Sequence, residues 1–167
     1  MTFQEIKPSE LAKNPFTMIG KEWMLVTAGD EQKANTMTAS WGGLGVMWGK
    51  EVAFIVIRPQ RYTKEFIDGG EHLSLCVLDE SHRKTLSYLG TVSGRTEDKI
   101  QNSGLTLAFD ESAPYFQEAN TVLICKKLYA QEYRPECFQD AELDGKWYPN
   151  QDYHTMYVCE IEKILQR

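Results

Sequence analysis

Two arginines and a threonine follow one another closely near the middle of the chain. Arg58 and Arg61 are followed by Thr63. An arginine side chain can bind a phosphate dianion through two parallel N–H bonds. If a helix begins at this point, its free backbone N–H groups and partial positive charge add to the same attraction. The combination predicts an anion site of the size of one phosphate group.

Hydroxyl-bearing residues alternate with apolar ones in the preceding segment, NTMTASW at 35–41. The period of a strand places three hydroxyls on one face, those of Thr36, Thr38 and Ser40. The other face then carries Met37, Ala39 and Trp41. The edge of such a strand can present backbone N–H groups and hydroxyls to a flat polar ring, and the glycines that follow leave room for a planar ligand.

Both features also have a purely structural interpretation. Two arginines after a strand are often only solvated, and a strand of threonines and serines is often the exposed face of a sheet. The chain has neither the Gly-x-Gly-x-x-Gly fingerprint nor a phosphate-loop Gly-Lys-Ser/Thr. The residues alone therefore leave a cofactor-binding domain and a bare structural domain open.

Local signals predict the elements that would position these residues. Residues 52–57 form an unbroken apolar run, which predicts a buried strand, and Pro59 ends it because proline cannot donate to a sheet. Thr63 is the predicted N-cap of a short helix that stops at the following glycine pair. Thr96 is the predicted cap of a second short helix through Ile100.

The rest of the chain is predicted to contain many short strands and few helices. Further strands are expected over 23–28, 35–40, 73–78, 121–130 and 153–164. This order favours an antiparallel barrel or sandwich over a doubly wound sheet. The segment 131–152 is predicted as a long surface excursion, a kind of loop that is often functional or interfacial. The length of 167 residues predicts one domain.

Composition narrows the class of protein. The net charge of −6 argues against a nucleic-acid or anionic-membrane partner, since both call for a basic surface. Neither a secretory signal nor a membrane span is predicted, so a cytoplasmic location is expected. The four cysteines form no C-x-x-C and show no ligand spacing with the three histidines. Buried reduced thiols are expected, with a disulfide or redox thiol as the alternative, and no metal site.

The hydroxyl strand, the arginine pair and two later motifs together resemble a known family. The matching stretches are NTMTASW at 35–41, VMW at 46–48, RP at 58–59, RYT at 61–63, SGR at 93–95 with DK at 98–99, YP at 148–149 and DYH at 152–154. In order and spacing they are similar to the flavin reductase-like family, the FMN-binding split-barrel proteins that include the flavoredoxins. The resemblance implies a mainly β fold: a six-stranded antiparallel split β-barrel with Greek-key order and a few short flanking helices, in one domain over 1–167.

The resemblance also implies a homodimer that binds one FMN per subunit near the interface. Flavin would carry the hydride chemistry, and the protein would bind and orient it. The arginines and Thr63 would hold the phosphate, segment 37–41 would line the isoalloxazine, and the loop at 93–99 would add phosphate or ribityl contacts. The implied FMN-binding residues are Met37, Thr38, Ala39, Ser40, Trp41, Arg58, Arg61, Tyr62, Thr63, Ser93, Gly94, Arg95 and Lys99.

Two of the matching residues are candidates for the chemistry itself. His154 would lie on the substrate side of the flavin as a hydrogen-bond donor or proton relay. A cation such as Lys99, or Arg95 in its place, near the flavin would stabilise its reduced anion. The alternatives are a structural histidine for His154 and an exposed helix lysine for Lys99.

The implied function is an FMN-dependent oxidoreductase that reduces a flavin or another acceptor. Its electrons would come from NAD(P)H or from a redox protein. A flavoredoxin-type carrier that holds FMN without substrate turnover is the alternative. A fold that has lost its cofactor is the third hypothesis.

Overall fold

The computed structural model describes residues 2–167, in which antiparallel strands dominate. The strands are β1 (Gln4–Ile6), β2 (Met24–Gly29), β3 (Ala34–Ala39), β4 (Gly42–Met47), β5 (Lys50–Ile57), β6 (His72–Val77), β7 (Leu107–Phe109), β8 (Pro114–Phe116), β9 (Thr121–Glu132) and β10 (Thr155–Gln166). The α-helices are α1 (Pro15–Thr17), α2 (Thr63–Gly69), α3 (Arg83–Thr91), α4 (Lys99–Ser103) and α5 (Ala141–Trp147). No helix within 2–167 has the length and apolar character needed to cross a membrane.

Eight strands form one sheet, in the order β3-β2-β6-β9-β10-β5-β4 with β1 beside β10. The prediction of a mainly β antiparallel fold with few helices is confirmed. The predicted six-stranded split barrel is wrong in its strand count, and no closed barrel is present within 2–167.

The additional strands have local causes. β5 pairs with β10 only over Thr155–Glu160, and this leaves a free edge that β1 takes at Ile164–Gln166. β4 forms in spite of its glycines because the Phe54 ring of β5 covers Gly43 and Gly45. An aromatic side chain beside a strand glycine supplies the packing that the glycine lacks.

β3 and β4, the strands at the two ends of the order β3-β2-β6-β9-β10-β5-β4, follow each other directly in the chain. Only Ser40 and Trp41 separate them. Three extended steps from Ala39 to Gly42 span at most about 11 Å, so the two edges approach each other at this junction without pairing. β3 pairs only with β2 among the described strands, so the hydroxyl strand lies at an edge of the sheet.

The core lies on both faces of the central strands. Along β2, Met24 and Val26 belong to one apolar cluster and Leu25 to another, because successive strand residues point to opposite faces. Cys76, Cys125 and Cys159 are free and buried, and burial raises the pKa of Cys76 to about 11. They are the predicted buried thiols.

Both predicted threonine caps are wrong. α2 includes Thr63, which is buried and whose hydroxyl accepts a hydrogen bond from Asn35 Nδ2 at 2.8 Å. α4 begins at Lys99 and is capped by Asp98, whose carboxylate accepts from the Gln101 N–H at 3.1 Å. The Thr96 hydroxyl donates to a loop carbonyl instead.

Candidate functional site

A cavity of about 290 Å³ lies at the junction of β3 and β4. We call it the Trp41 cavity. It is lined by Met37, Thr38, Ala39, Ser40, Trp41, Val56, Arg58, Arg61, Trp147 and His154. Because β3 is an edge strand, the backbone groups that β2 does not use are available on this side. The structure therefore brings the predicted ring-binding strand together with both arginines and the candidate histidine.

A larger open groove of about 780 Å³ lies beyond it, and we call it the Tyr62 groove. Its lining includes four more of the predicted residues, Tyr62, Gly94, Arg95 and Lys99. The Arg95 guanidinium stacks 4.5 Å from the centroid of the Tyr62 ring and forms an ion pair with Glu65. Phe66 packs edge-on against the same ring at 5.0 Å.

The loop at 93–95 lies directly against β3 because it contains a glycine. A Cβ on Gly94 would be 2.2 Å from Asn35 Oδ1 and 3.1 Å from Tyr62 Cδ1. Asn35 is buried and bonds to Thr63. Thr63 and Ser93, both predicted to contact the cofactor, line neither cavity; the Ser93 hydroxyl accepts from the Arg95 N–H at 3.2 Å.

Two neighbouring cations, Arg61 and Lys99, have no carboxylate partner among the described residues. Lys99 is 3% exposed, and its Nζ donates to the carbonyls of Leu89 and Val92, both at 3.0 Å. Arg61 donates to the Gly90 carbonyl at 2.8 Å. The exposed-lysine interpretation of Lys99 is therefore wrong.

These contacts explain part of the burial but leave the charge uncompensated. The carbonyls lie at the end of α3, where a helix has no internal partners for them and attracts cations. Burial and the charge of Arg61 lower the pKa of Lys99 to about 8, and burial also lowers the pKa of Arg61. A bound anion beside the pair would relieve both effects.

Arg58 is already paired. Its guanidinium lies 2.8 Å from a carboxylate oxygen of Asp152, donates to the Trp147 carbonyl at 2.9 Å and stacks 4.9 Å from the Tyr148 ring centroid. The predicted phosphate contact of Arg58 stays a prediction. Its present contacts hold the excursion at 147–152 against the Trp41 cavity.

His154 is buried in the wall of this cavity. Its Nδ1 lies 2.7 Å from the Tyr148 hydroxyl, and its ring centroid lies 5.2 Å from that of Trp41. Burial and the nearby Arg58 lower the pKa of His154 to about 4, so the imidazole is neutral near pH 7. Trp41 and Trp147 are partly exposed and pack edge-to-face at 5.0 Å on one side of the cavity.

Sequence reasoning gave no role to three residues of this region, although Asn35 and Tyr148 lie in the matching stretches. Trp147 lines the Trp41 cavity, Tyr148 bonds to His154, and Asn35 joins β3 to α2. The first two lie in the excursion at 131–152, whose length is typical of a functional or interfacial segment, and its aromatic residues were the available signal. Asn35 had no signal beyond its place in the hydroxyl strand.

Comparison with known proteins assigns the chain to a family. The family model described as flavin reductase like domain matches residues 18–167. The chain therefore belongs to the flavin reductase-like family. No curated protein matches the chain.

Solved structures share the fold at low sequence identity. A flavoredoxin from Methanosarcina acetivorans aligns with a TM-score of 0.69 and 21% identity, covering 98% of this chain and 76% of that one. An FMN-binding protein from Thermus thermophilus with bound p-hydroxybenzaldehyde gives 0.68 and 18%, with coverages of 98% and 79%. The NADH:FAD oxidoreductase SgcE6 of Streptomyces globisporus, in complex with NAD and FAD fragments, gives 0.65 and 16%, with coverages of 87% and 74%.

Proposed function

We propose that this chain, as a single domain, is an FMN-binding oxidoreductase. It passes electrons from a nicotinamide or a redox protein through bound FMN to a flavin or another acceptor. Membership of the flavin reductase-like family supports the class of cofactor. The observation that carries the proposal is the uncompensated pair of Arg61 and Lys99 beside a cavity lined by an edge strand.

The residues present fit the two ends of a flavin mononucleotide. The Trp41 cavity offers the backbone of Met37 to Ser40 and the Trp41 ring to a flat polar group. Arg61 lies in the wall of this cavity. Lys99 is close enough to Arg61 for the charge of Arg61 to lower the pKa of Lys99. On this proposal segment 37–41 holds the ring, while Arg61, Lys99 and the loop at 93–95 hold the phosphate. The flavin, when bound, supplies the hydride and electron-transfer chemistry.

His154 adds a neutral polar group to a wall that also contains the aromatic rings of Trp41 and Trp147 and the guanidinium groups of Arg58 and Arg61. It is neutral near pH 7, so it orients a bound group through a hydrogen bond and adds no charge. Trp41 and Trp147 limit access of water on one side of the cavity.

The first test is whether the purified protein holds flavin. We expect a yellow protein whose released pigment has the mass of FMN. A preparation that is colourless and does not take up added FMN in a fluorescence titration would contradict the proposal. Oxidation of NADH or NADPH with added free flavin would identify a reductase. Reduction by a ferredoxin-like protein without nicotinamide oxidation would identify a carrier.

We also propose a homodimer with the cofactor near its interface. Apolar side chains are exposed along the edge strand β4 and its turn, with Val46 71% and Trp48 59% exposed. An apolar groove of about 430 Å³, the Phe16 groove, adjoins the start of this strand and includes Ser40 and Trp41 in its lining. Exposed apolar edge strands call for a covering partner, and this surface shares two residues with the Trp41 cavity.

Substituting Val46 with lysine is expected to weaken self-association by roughly 30-fold or more, the effect of losing an interface hot spot. Sedimentation velocity over a concentration series measures the shift. Leu143→Lys is the matched control, since Leu143 is an exposed leucine on α5, a helix that contributes no residue to β4 or to the lining of the Phe16 groove. Unchanged association of Val46→Lys, or an equal loss in both variants, would remove this surface from the interface.

A further inference from the structure

We propose that Tyr148 is a positioning residue that fixes the tautomer of His154, leaving the Nε2–H of His154 as a hydrogen-bond donor to the Trp41 cavity. The ligand that receives this bond is the one put forward under the proposed function. The tautomer of His154 is set by contacts within the protein and does not depend on a bound ligand.

The tautomer follows from the need of a buried phenol for an acceptor. Tyr148 and His154 are 5% and 6% exposed, and the Tyr148 hydroxyl lies 2.7 Å from His154 Nδ1. Among residues 2–167 the structure gives the Tyr148 hydroxyl no other hydrogen-bond partner. If Nδ1 carried the proton, the phenol proton would be buried without an acceptor, which is energetically unfavourable. The phenol therefore donates to Nδ1, and the single proton of the neutral imidazole is on Nε2.

Aromatic packing holds the phenol in place. The Arg58 guanidinium lies 4.9 Å from the centroid of the Tyr148 ring, and Tyr153 and Phe138 pack against that ring at 5.0 Å and 5.7 Å. The Tyr153 hydroxyl is directed elsewhere, donating to Asp144 at 2.7 Å. These contacts therefore fix the orientation of the Tyr148 ring, and its hydroxyl bonds to His154.

The second ring nitrogen of His154 is available to a group bound in the Trp41 cavity. His154 lines the Trp41 cavity, and with Nδ1 directed to Tyr148 the remaining nitrogen is Nε2. A ligand group that pairs with this Nε2–H must be a hydrogen-bond acceptor, such as a carbonyl oxygen or an unprotonated ring nitrogen.

Burial keeps this donor neutral, because it lowers the pKa of His154. Arg58 lowers that pKa further, and Asp152 opposes the shift. Tyr133 and Tyr148 are the other titratable groups in contact, and burial raises the pKa of both. His154 therefore acts as a neutral donor and does not release a proton in the neutral pH range.

Long-range ¹H–¹⁵N NMR of ¹⁵N-histidine-labelled protein tests the tautomer directly. We expect the His154 signals, identified by their loss in His154→Gln, to show a protonated Nε2 and an unprotonated Nδ1 at pH 7. Tyr148→Phe should move the tautomer ratio toward Nδ1–H by about fivefold, the effect of one neutral hydrogen bond. Tyr153→Phe, which removes a neighbouring hydroxyl bonded to Asp144, should leave the ratio unchanged.

The spectra are recorded on the protein without added ligand, so the result is independent of whether FMN binds. A protonated Nδ1 in the wild-type protein would overturn the inference even if Tyr148→Phe failed to fold. An unchanged ratio in a folded Tyr148→Phe would also overturn it. A colourless protein with the expected tautomer would contradict the proposed function and leave the role of Tyr148 standing.

Discussion

Lys99→Met should weaken FMN binding by about ten- to a hundredfold, since a hydrogen bond to a charged group contributes about 1.5–3 kcal/mol. Arg61→Ala should have an effect of the same order. The reason is the burial of Lys99 beside the partly buried Arg61, two cations that no described carboxylate compensates. A phosphate dianion placed between them recovers the electrostatic cost of that burial, and its affinity falls when either charge is removed.

Riboflavin is the matched control ligand, because it lacks the phosphate. Fluorescence titrations should show that Lys99→Met loses affinity for FMN and keeps its affinity for riboflavin. The matched control variant is Lys84→Met, which removes the same charge from an exposed position on α3. If Lys99 only caps the end of α3, its replacement will lower stability and affect both flavins equally, and the phosphate assignment will be wrong.

The pH dependence has a defined sign. The pKa of Lys99 is lowered to about 8 from the ordinary 10.5, so the ligand-free protein loses this charge as pH rises through that value. Affinity for FMN should therefore be greatest below pH 8 and fall above it. Lys99→Met should lack this fall, and a wild-type affinity that is constant from pH 7 to pH 9.5 would contradict the assignment.

Gly94→Ala should destabilise the fold by about 1–3 kcal/mol, the usual cost of forcing extra volume into a packed site. The new Cβ would be 2.2 Å from the Asn35 amide oxygen, and Asn35 cannot retreat without losing its bond to Thr63. The change separates the loop at 93–95 from β3, so FMN affinity should fall as well.

Urea unfolding of the ligand-free protein measures this loss. Gly145→Ala is the control, since nothing lies within 4 Å of the added methyl group and position 145 is inside α5. Alanine is the better helix former by about 1 kcal/mol, so this variant should be as stable as the wild type or more so. Equal stability of Gly94→Ala and the wild type would show that the loop packs differently.

Periodic patterns were the reliable part of the sequence analysis. The alternation over 35–40 predicted a strand, and β3 occupies Ala34–Ala39. The apolar run at 52–57 predicted β5, which ends at Ile57. Both signals are local, because the order of neighbouring residues decides which side chains lie on each face of a strand.

The failures involve partners that are distant in sequence. Thr63 is no cap because an asparagine 28 positions away binds its hydroxyl. Lys99 belongs to a short polar helix, and nothing in that helix predicts that its side chain reaches under the end of α3. β1 was missed because its partner is the far end of β10. Only tertiary structure brings these groups together.

The two-residue junction between β3 and β4 has a thermodynamic consequence. Ser40 and Trp41 belong to the wall of the Trp41 cavity and to that of the Phe16 groove. A molecule bound in one space and a subunit covering the other then share the same side chains. Any factor by which pairing of two chains tightens flavin retention must equal the factor by which flavin tightens pairing. Release of pigment on dilution would then be cooperative with dissociation of the subunits.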